Sequence, residues 1–176
     1  SRAIQDRITA CKIPGQIAQE ILTAFRSLGS GSVAVAVRSS ATTEDLPTAS
    51  FAGQHDTFLN IRGEEAILSS VRACWASLWT ERAIAYRAAH RIDHFRSLMA
   101  VVVQEMVDAE VSGVMFTVNP VSGARDEAVI EACLGLGEAL VAGKVFPDRF
   151  SVKKGPPPAK AERITGTKSI DVQDNT

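Results

Sequence analysis

"VRSSATTEDLPTASFAGQHDT", residues 37–57, sets an arginine at the end of an apolar run and follows it with hydroxyls, small residues and one glycine. The run before it, "SVAVAV", alternates small and β-branched residues, as a strand does, so Arg38 emerges at the C-terminal end of that strand. Phosphate recognition asks for a bidentate cation that stays charged and for backbone N–H groups that can approach oxygens closely. Arg38, Ser39, Ser40, Ser50, Gly53 and Thr57 form such a set. The same residues fit a second reading, in which Arg38 pairs with Glu44 or Asp45 while the serines and Thr42 cap a turn. On pattern alone both stay open.

With 176 residues, 45% of them hydrophobic, the chain can bury a core as one domain or two small lobes. No apolar run is long enough to span a bilayer and "SRAIQDRITACK" lacks the apolar centre of a signal peptide, so the expectation is a cytoplasmic protein with no membrane partner. A formal net charge of −1 offers no general attraction to nucleic acid, and any phosphate chemistry must come from locally placed groups. Cys11, Cys74 and Cys133, odd in number and widely spaced, fit buried reduced thiols better than a disulfide frame or a zinc site.

Outward from the opening stretch, "PGQIAQEILTAFRSLG" places Ile17, Ile21, Phe25 and Leu28 at helical spacing between a Pro-Gly breaker and Gly29. "TFLNI" reads as a short strand. In the helix that follows, Ile67, Val71, Cys74, Trp75 and Leu78 share a stripe, with a break at Thr80 and Glu81 before Ile84 and Tyr86. His90 and His94 fall on a solvated rim. "LMAVVVQEMV", "VSGVMFTV" and "EAVIEACLG" read as three neighbouring strands, "GEALVAGK" as a short helix and "RFSVKK" as a further strand. Residues 155–176, opening "GPPPAK", read as spacer and tail. Helices and hairpin-like strands in this order indicate an α+β architecture. Neither G-x-G-x-x-G after a strand nor G-x-x-x-x-G-K-[ST] is present, so a nucleotide would be held by another geometry.

Four motifs in order, "VRSSATTEDLPTASFAGQHDTFLNI", "CWASLWTERAIAYR", "VVVQEMVDAEVSGVMFTVNPVSG" and "IEACLGLGEALVAGKVFPDRFSVKK", resemble the ATP-binding domain of the phosphoenolpyruvate synthase, pyruvate phosphate dikinase and rifampicin phosphotransferase family. The resemblance implies an ATP-grasp fold, two α+β lobes closing on ATP, with a lobe boundary near residues 98–108. It implies that Arg38 clamps phosphate, that the segment from Ser50 through Gly53 to Thr57 covers the phosphates, and that adenine lies against Gln104, Glu105, Met106 and Val107. There the main chain of Glu105 and Val107 would read its polar edge, a reading the exposed end of a β run also allows, although Met106 there can equally fill core space. With Leu46 and Phe51 as its few large apolar anchors, the segment 42–57 is expected to open without nucleotide and to order with it.

Glu131 and Glu138 are candidate Mg²⁺ ligands, since Mg²⁺ prefers oxygen ligands shared with phosphates; each also fits an ordinary position, on a solvated strand face or in a helix's first turn. Lys144 and Lys168 are candidate phosphate partners or solvated charges. The family's upstream "GGKG"-type segment, its glutamate-tryptophan pair and its "LQ-x-RP" segment do not occur in these residues, so the chain is expected to be the middle of such a domain, cut at both ends. By resemblance the whole enzyme splits ATP to AMP and phosphate and passes one phosphoryl group, through a phosphohistidine domain, to pyruvate or to rifampicin. A noncatalytic nucleotide-binding or interaction module is the alternative of another class.

Overall fold

The computed structural model describes residues 1–29, 33–42, 45–46, 49–50, 56–155 and 162–163, the backbone alone at 45–46, 49–50 and 162–163. The chain divides into two units, Ser1–Met106 and Val107–Thr176.

The first unit begins with helices α1 (Arg2–Ala10) and α2 (Gly15–Ser27) and strand β1 (Val35–Ala41). Two short strands, β2 (Asp45–Leu46) and β3 (Ala49–Ser50), pair antiparallel with each other. Then come β4 (Thr57–Ile61), α3 (Glu64–Ser77), α4 (Glu81–Ala89), a 3-10 turn at His94–Arg96 and β5 (Met99–Glu105). The main sheet has the order β4-β1-β5, and both pairings are antiparallel. Period-two alternation divides β1 between two faces. Val35 and Val37 turn inward at 0% exposure and meet Ile67, Val71 and Cys74 from α3 and Phe25 from α2. Val101 and Val103 of β5 pack on the same cluster from register positions opposite Ser39 and Val37. Burying side chains of this size contributes about 1.5–3 kcal/mol each, enough to fix which face of β1 is inward.

The expected break at Thr80 is present, for a local reason. Thr80 is the N-cap of α4, its hydroxyl accepting from the Ala83 amide at 3.3 Å. Beyond it lies a buried cation. Arg87 is fully buried, donating from Nη2 to the Leu78 carbonyl at 2.6 Å and from Nε to His94 Nδ1 at 3.0 Å, with its guanidinium 5.6 Å from the Trp79 ring centroid. His94 is therefore a partly buried acceptor rather than a rim residue, while His90 is exposed and stacks on Tyr86. Cys11 is exposed, against the expectation of buried thiols, because it caps α1, a helix that buries no residue. Cys74 is buried and Cys133 half-buried.

The second unit is a four-stranded antiparallel sheet, β6 (Val111–Phe116), β7 (Glu127–Leu134), β8 (Asp148–Lys153) and β9 (Glu162–Arg163), in sequence order, with the one-turn helix α5 (Glu138–Val141) between β7 and β8. The three apolar runs expected to be neighbours are thus separated: the first is β5 and pairs with β1, whereas the second and third pair with each other. Apolar content announces a strand but not its partner, and β1, with inward valines at matching register, takes β5. Gly113 stands opposite Ala132 where the strands approach closely; a Cβ added there would lie 2.6 Å from the Glu131 carbonyl oxygen. Across the sheet, Glu127 accepts hydrogen bonds from Asn119 Nδ2 at 2.5 Å and from the Ser151 hydroxyl. Asn119 Oδ1 in turn accepts from the amides of Val121 and Ser122, so one carboxylate holds the "NPVSG" turn in shape.

Arg87→Met is expected to lower unfolding free energy by about 2–4 kcal/mol, since the Leu78 carbonyl and His94 Nδ1 lose their donor; denaturant melts of the two chains would measure it. Gly113→Ala should cost about 1–3 kcal/mol, because the added methyl meets backbone and the β6–β7 pair must separate to admit it. Burial, with Asp56 nearby, pushes the Cys74 thiol from 9.0 up to about 12. Between those values the unfolded chain releases this proton and the native chain keeps it. Stability is therefore full below pH 9 and falls toward pH 12, by up to about 1.4 kcal/mol per pH unit for one proton. Urea midpoints of the chain and its Cys74→Ala variant, compared from about pH 8 to about pH 11, should show a shallower alkaline decline in the variant.

Candidate functional site

The register of β1 builds a row across the outer face of the first sheet. Arg38 lies opposite Thr57 on one side and Val102 on the other, Ser40 lies opposite Ala100, and Ala36 opposite Gln104. Alternation sends this row away from the face that α3 covers. Arg38, Ser40, Thr57, Ala100 and Gln104 are all exposed, and Val102 remains 47% exposed although it sits within a strand, whereas Ala36 at the start of the row is buried. Arg38 makes no hydrogen bond or ion pair among the described residues. Glu44 and the side chain of Asp45 lie outside them, as do Gly53 and most of the segment 42–57; Ser50 ends β3 and is described by its backbone alone. The open face therefore joins a guanidinium with no described partner, two hydroxyls and an apolar floor.

Ser39 does not belong to that face. Its hydroxyl donates to the Asp56 carbonyl at 3.0 Å, tying β1 to the residue before β4. The Asp56 carboxylate pairs with Arg82 of α4, Nη2 to Oδ1 2.9 Å. Thr42 serves a turn, its hydroxyl accepting from the Leu98 amide at 3.1 Å.

The residues expected against adenine sit at the end of β5. The Met106 amide donates to the Ala34 carbonyl at 2.9 Å, so that amide is committed to the chain leading into β1. Backbone groups alternate along an extended chain, so those of Glu105 face the other way, toward the outer edge of β5, an edge strand of its sheet. Gln104 and Glu105 are exposed and Met106 half-buried; Val107, 72% exposed, opens the second unit.

Glu131 lies on β7 opposite Arg149, Oε1 3.7 Å from its Nε, and Glu138 is in the first turn of α5. Among the described residues no three His, Cys, Asp or Glu side chains gather around a point where a metal could bind. Lys144 is exposed; Lys168 lies outside the described residues.

Three residues come forward in the structure that no sequence pattern singles out. Glu127 reads in sequence as one more strand position, yet hydrogen bonds from Ser151 and then Asn119 hold its carboxyl below the usual carboxylate range. The other two are Asp56 and Arg82. The available signal for that pair is Arg82 itself, a cation in the first turn of a helix, where the backbone already presents partial positive charge.

Comparison with known proteins gives one family. Residues 1–176 match the model of the pyruvate phosphate dikinase AMP/ATP-binding domain. The chain is 52% identical over 158 residues, 88% of its length, to a phosphoenolpyruvate synthase of Aeropyrum pernix, and 48% identical over 176 residues, 98% of its length, to that of Pyrococcus furiosus. It is 52% identical over 155 residues, again 88% of its length, to a rifampicin phosphotransferase of Streptomyces sviceus. These alignments cover 19%, 21% and 18% of the respective relatives, so the chain spans about a fifth of the proteins it resembles. No helix among the described residues is long and apolar enough to cross a membrane. With an α+β build and an exposed arginine on its open sheet face, the chain belongs to the pyruvate phosphate dikinase AMP/ATP-binding domain family.

Proposed function

We propose that this chain is the ATP-binding part of a dikinase-type phosphotransferase resembling phosphoenolpyruvate synthase, built as one ATP-grasp domain with its lobe boundary near residues 98–108 and with 155–176 a spacer and tail apart from the β9 pairing at Glu162–Arg163. The observation that carries the reading is Arg38, exposed, without a described partner and flanked by Thr57 and Ser40. A planar guanidinium presents a fork of donors that matches two phosphate oxygens at once, and hydroxyls beside it supply further donors. Ser50 and Gly53 join that set on the sequence alone.

The adenine would lie against Gln104–Val107, read by main-chain groups of Glu105 and Val107, with Met106 and Val107 as apolar contacts. Mg²⁺, the usual companion of ATP phosphates, would be shared between phosphate oxygens and a carboxylate, for which Glu131 and Glu138 are the candidates in this chain. Phosphoryl transfer depends on positioning and charge neutralisation more than on covalent help from the protein, and this is the work assigned to Arg38 and its neighbours. Acceptor and phosphohistidine chemistry would reside in other parts of a longer cytoplasmic protein. Pyruvate is the acceptor in the leading reading. Rifampicin is the acceptor in the second, which the 52% identity to a rifampicin phosphotransferase favours.

Arg38→Lys keeps the charge and loses the fork. In the longer protein that carries this chain it should reduce turnover by about 10- to 100-fold while the melting temperature stays within about 2 °C, because an exposed arginine contributes little to folding. A large fall in melting temperature with normal activity per folded molecule would instead make Arg38 a structural partner of Glu44 or Asp45.

A further inference from the structure

Arg82 occupies a place that its own helix does not reward. It stands in the first turn of α4, where a positive charge opposes the helix dipole, and only Glu81 beside it has the favourable sign. Its partner is Asp56, 2.9 Å away, and both side chains are about half exposed. A pair so open to water adds little to stability. Asp56 is held at two points, however. Its carbonyl takes the Ser39 hydroxyl from β1, and its carboxylate takes Arg82 from α4. The residues adjoining these two anchors are Arg38, next to Ser39, and Thr57, next to Asp56, and they face each other in the β1–β4 register.

We infer that Arg82 is a positioning residue for the anion site: through Asp56 it clamps the start of β4 to α4 and so holds the Thr57 hydroxyl beside the Arg38 guanidinium. The inference rests on the reading of Arg38 and Thr57 as phosphate contacts. Its physical content is that an exposed ion pair, worth little to folding, sets the relative position of two binding groups on neighbouring strands. The row itself supplies the reason for a clamp. β4 is an edge strand of its sheet, and its pairing with β1 carries an irregularity between Val35 and Val37, so the ladder alone specifies the Thr57 end less tightly than a continuous register would.

The test titrates ATP with Mg²⁺ into this chain and its Arg82→Gln, Arg82→Lys, Asp56→Asn, double Arg82→Gln/Asp56→Asn and Arg38→Met variants. Binding is read by NMR, which detects weak complexes, and local order by amide exchange across β4. Arg82→Gln and Asp56→Asn should each raise Kd on the order of threefold to tenfold, as a misplaced group does, and the double variant no further than either single one. Exchange across β4 should quicken, Arg82→Lys should retain most of the affinity, and melting should barely move. The proposal is overturned if Arg82→Gln leaves Kd and β4 exchange unchanged while Arg38→Met weakens binding, a result that spares the nucleotide reading. It is equally overturned if melting falls with unchanged Kd per folded molecule. If the unsubstituted chain does not bind, or Arg38→Met binds as well as it does, the nucleotide reading fails and takes this inference with it.

Discussion

The antiparallel register between residues 35–41 and 99–105 is the constraint from which the first unit follows. Seven consecutive pairs join β1 to β5, and because side chains alternate along a strand, a slip of one residue would exchange the two faces of the sheet. Val35 and Val37 would then leave the cluster formed with Phe25, Ile67, Val71 and Cys74, and Arg38 would be driven into it. Burying an unpaired guanidinium costs far more than the apolar contacts could offset. The core and the face that carries Arg38 are in that sense one decision: the valines fix which side is dry, and the arginine that follows them is left on the wet side.

That coupling explains which elements are legible from residue order. The helical stripe of α3 can be read because Ile67, Val71 and Cys74 recur at the period of a helix, and its end can be read because Thr80 can cap the next one. Arg38 stands out as a candidate site residue for the same kind of reason, since a strand's alternation assigns it a face from residue order alone. Strand partners are not legible in this way. β5 reads as a neighbour of β6 and β7 because all three are apolar and close in sequence, whereas β5 pairs with a strand far upstream. Pairing at such a separation is settled by register and shared burial, to which local composition contributes nothing. Helix α1 is harder to read by pattern because it is short, with Ile4 and Ile8 its only large apolar side chains, and neither is fully buried.

The candidate site is half legible. Arg38, Ser40 and Thr57 share the open face, and Glu105 turns its backbone toward a strand edge, arrangements that a strand's alternation lets the sequence anticipate. Ser39, counted with them in sequence, is instead spent on the Asp56 carbonyl, because adjacent strand residues point to opposite faces and cannot both serve one ligand. Glu131 and Glu138 fall in one sequence motif but on different elements, Glu131 on β7 beside Arg149 and Glu138 in the first turn of α5.

Three arginines show how little residue type determines by itself. Arg87 is buried, donating to the Leu78 carbonyl and His94 while Trp79 lies near its guanidinium, so it acts as a polar staple between α4 and the chain around it. Arg82 is half exposed and committed to one carboxylate whose own backbone is anchored to β1. Arg38 is exposed, with no described partner, beside hydroxyls. The three differ in how far the chain has already committed their donors. An arginine buried among its partners can only hold structure, one with a single anchored partner can transmit position, and one with its fork turned to solvent is left to meet something that arrives from solution. Its place on a face kept polar by the register of the dry face then makes an anion carrying two accessible oxygens the partner that saturates it best.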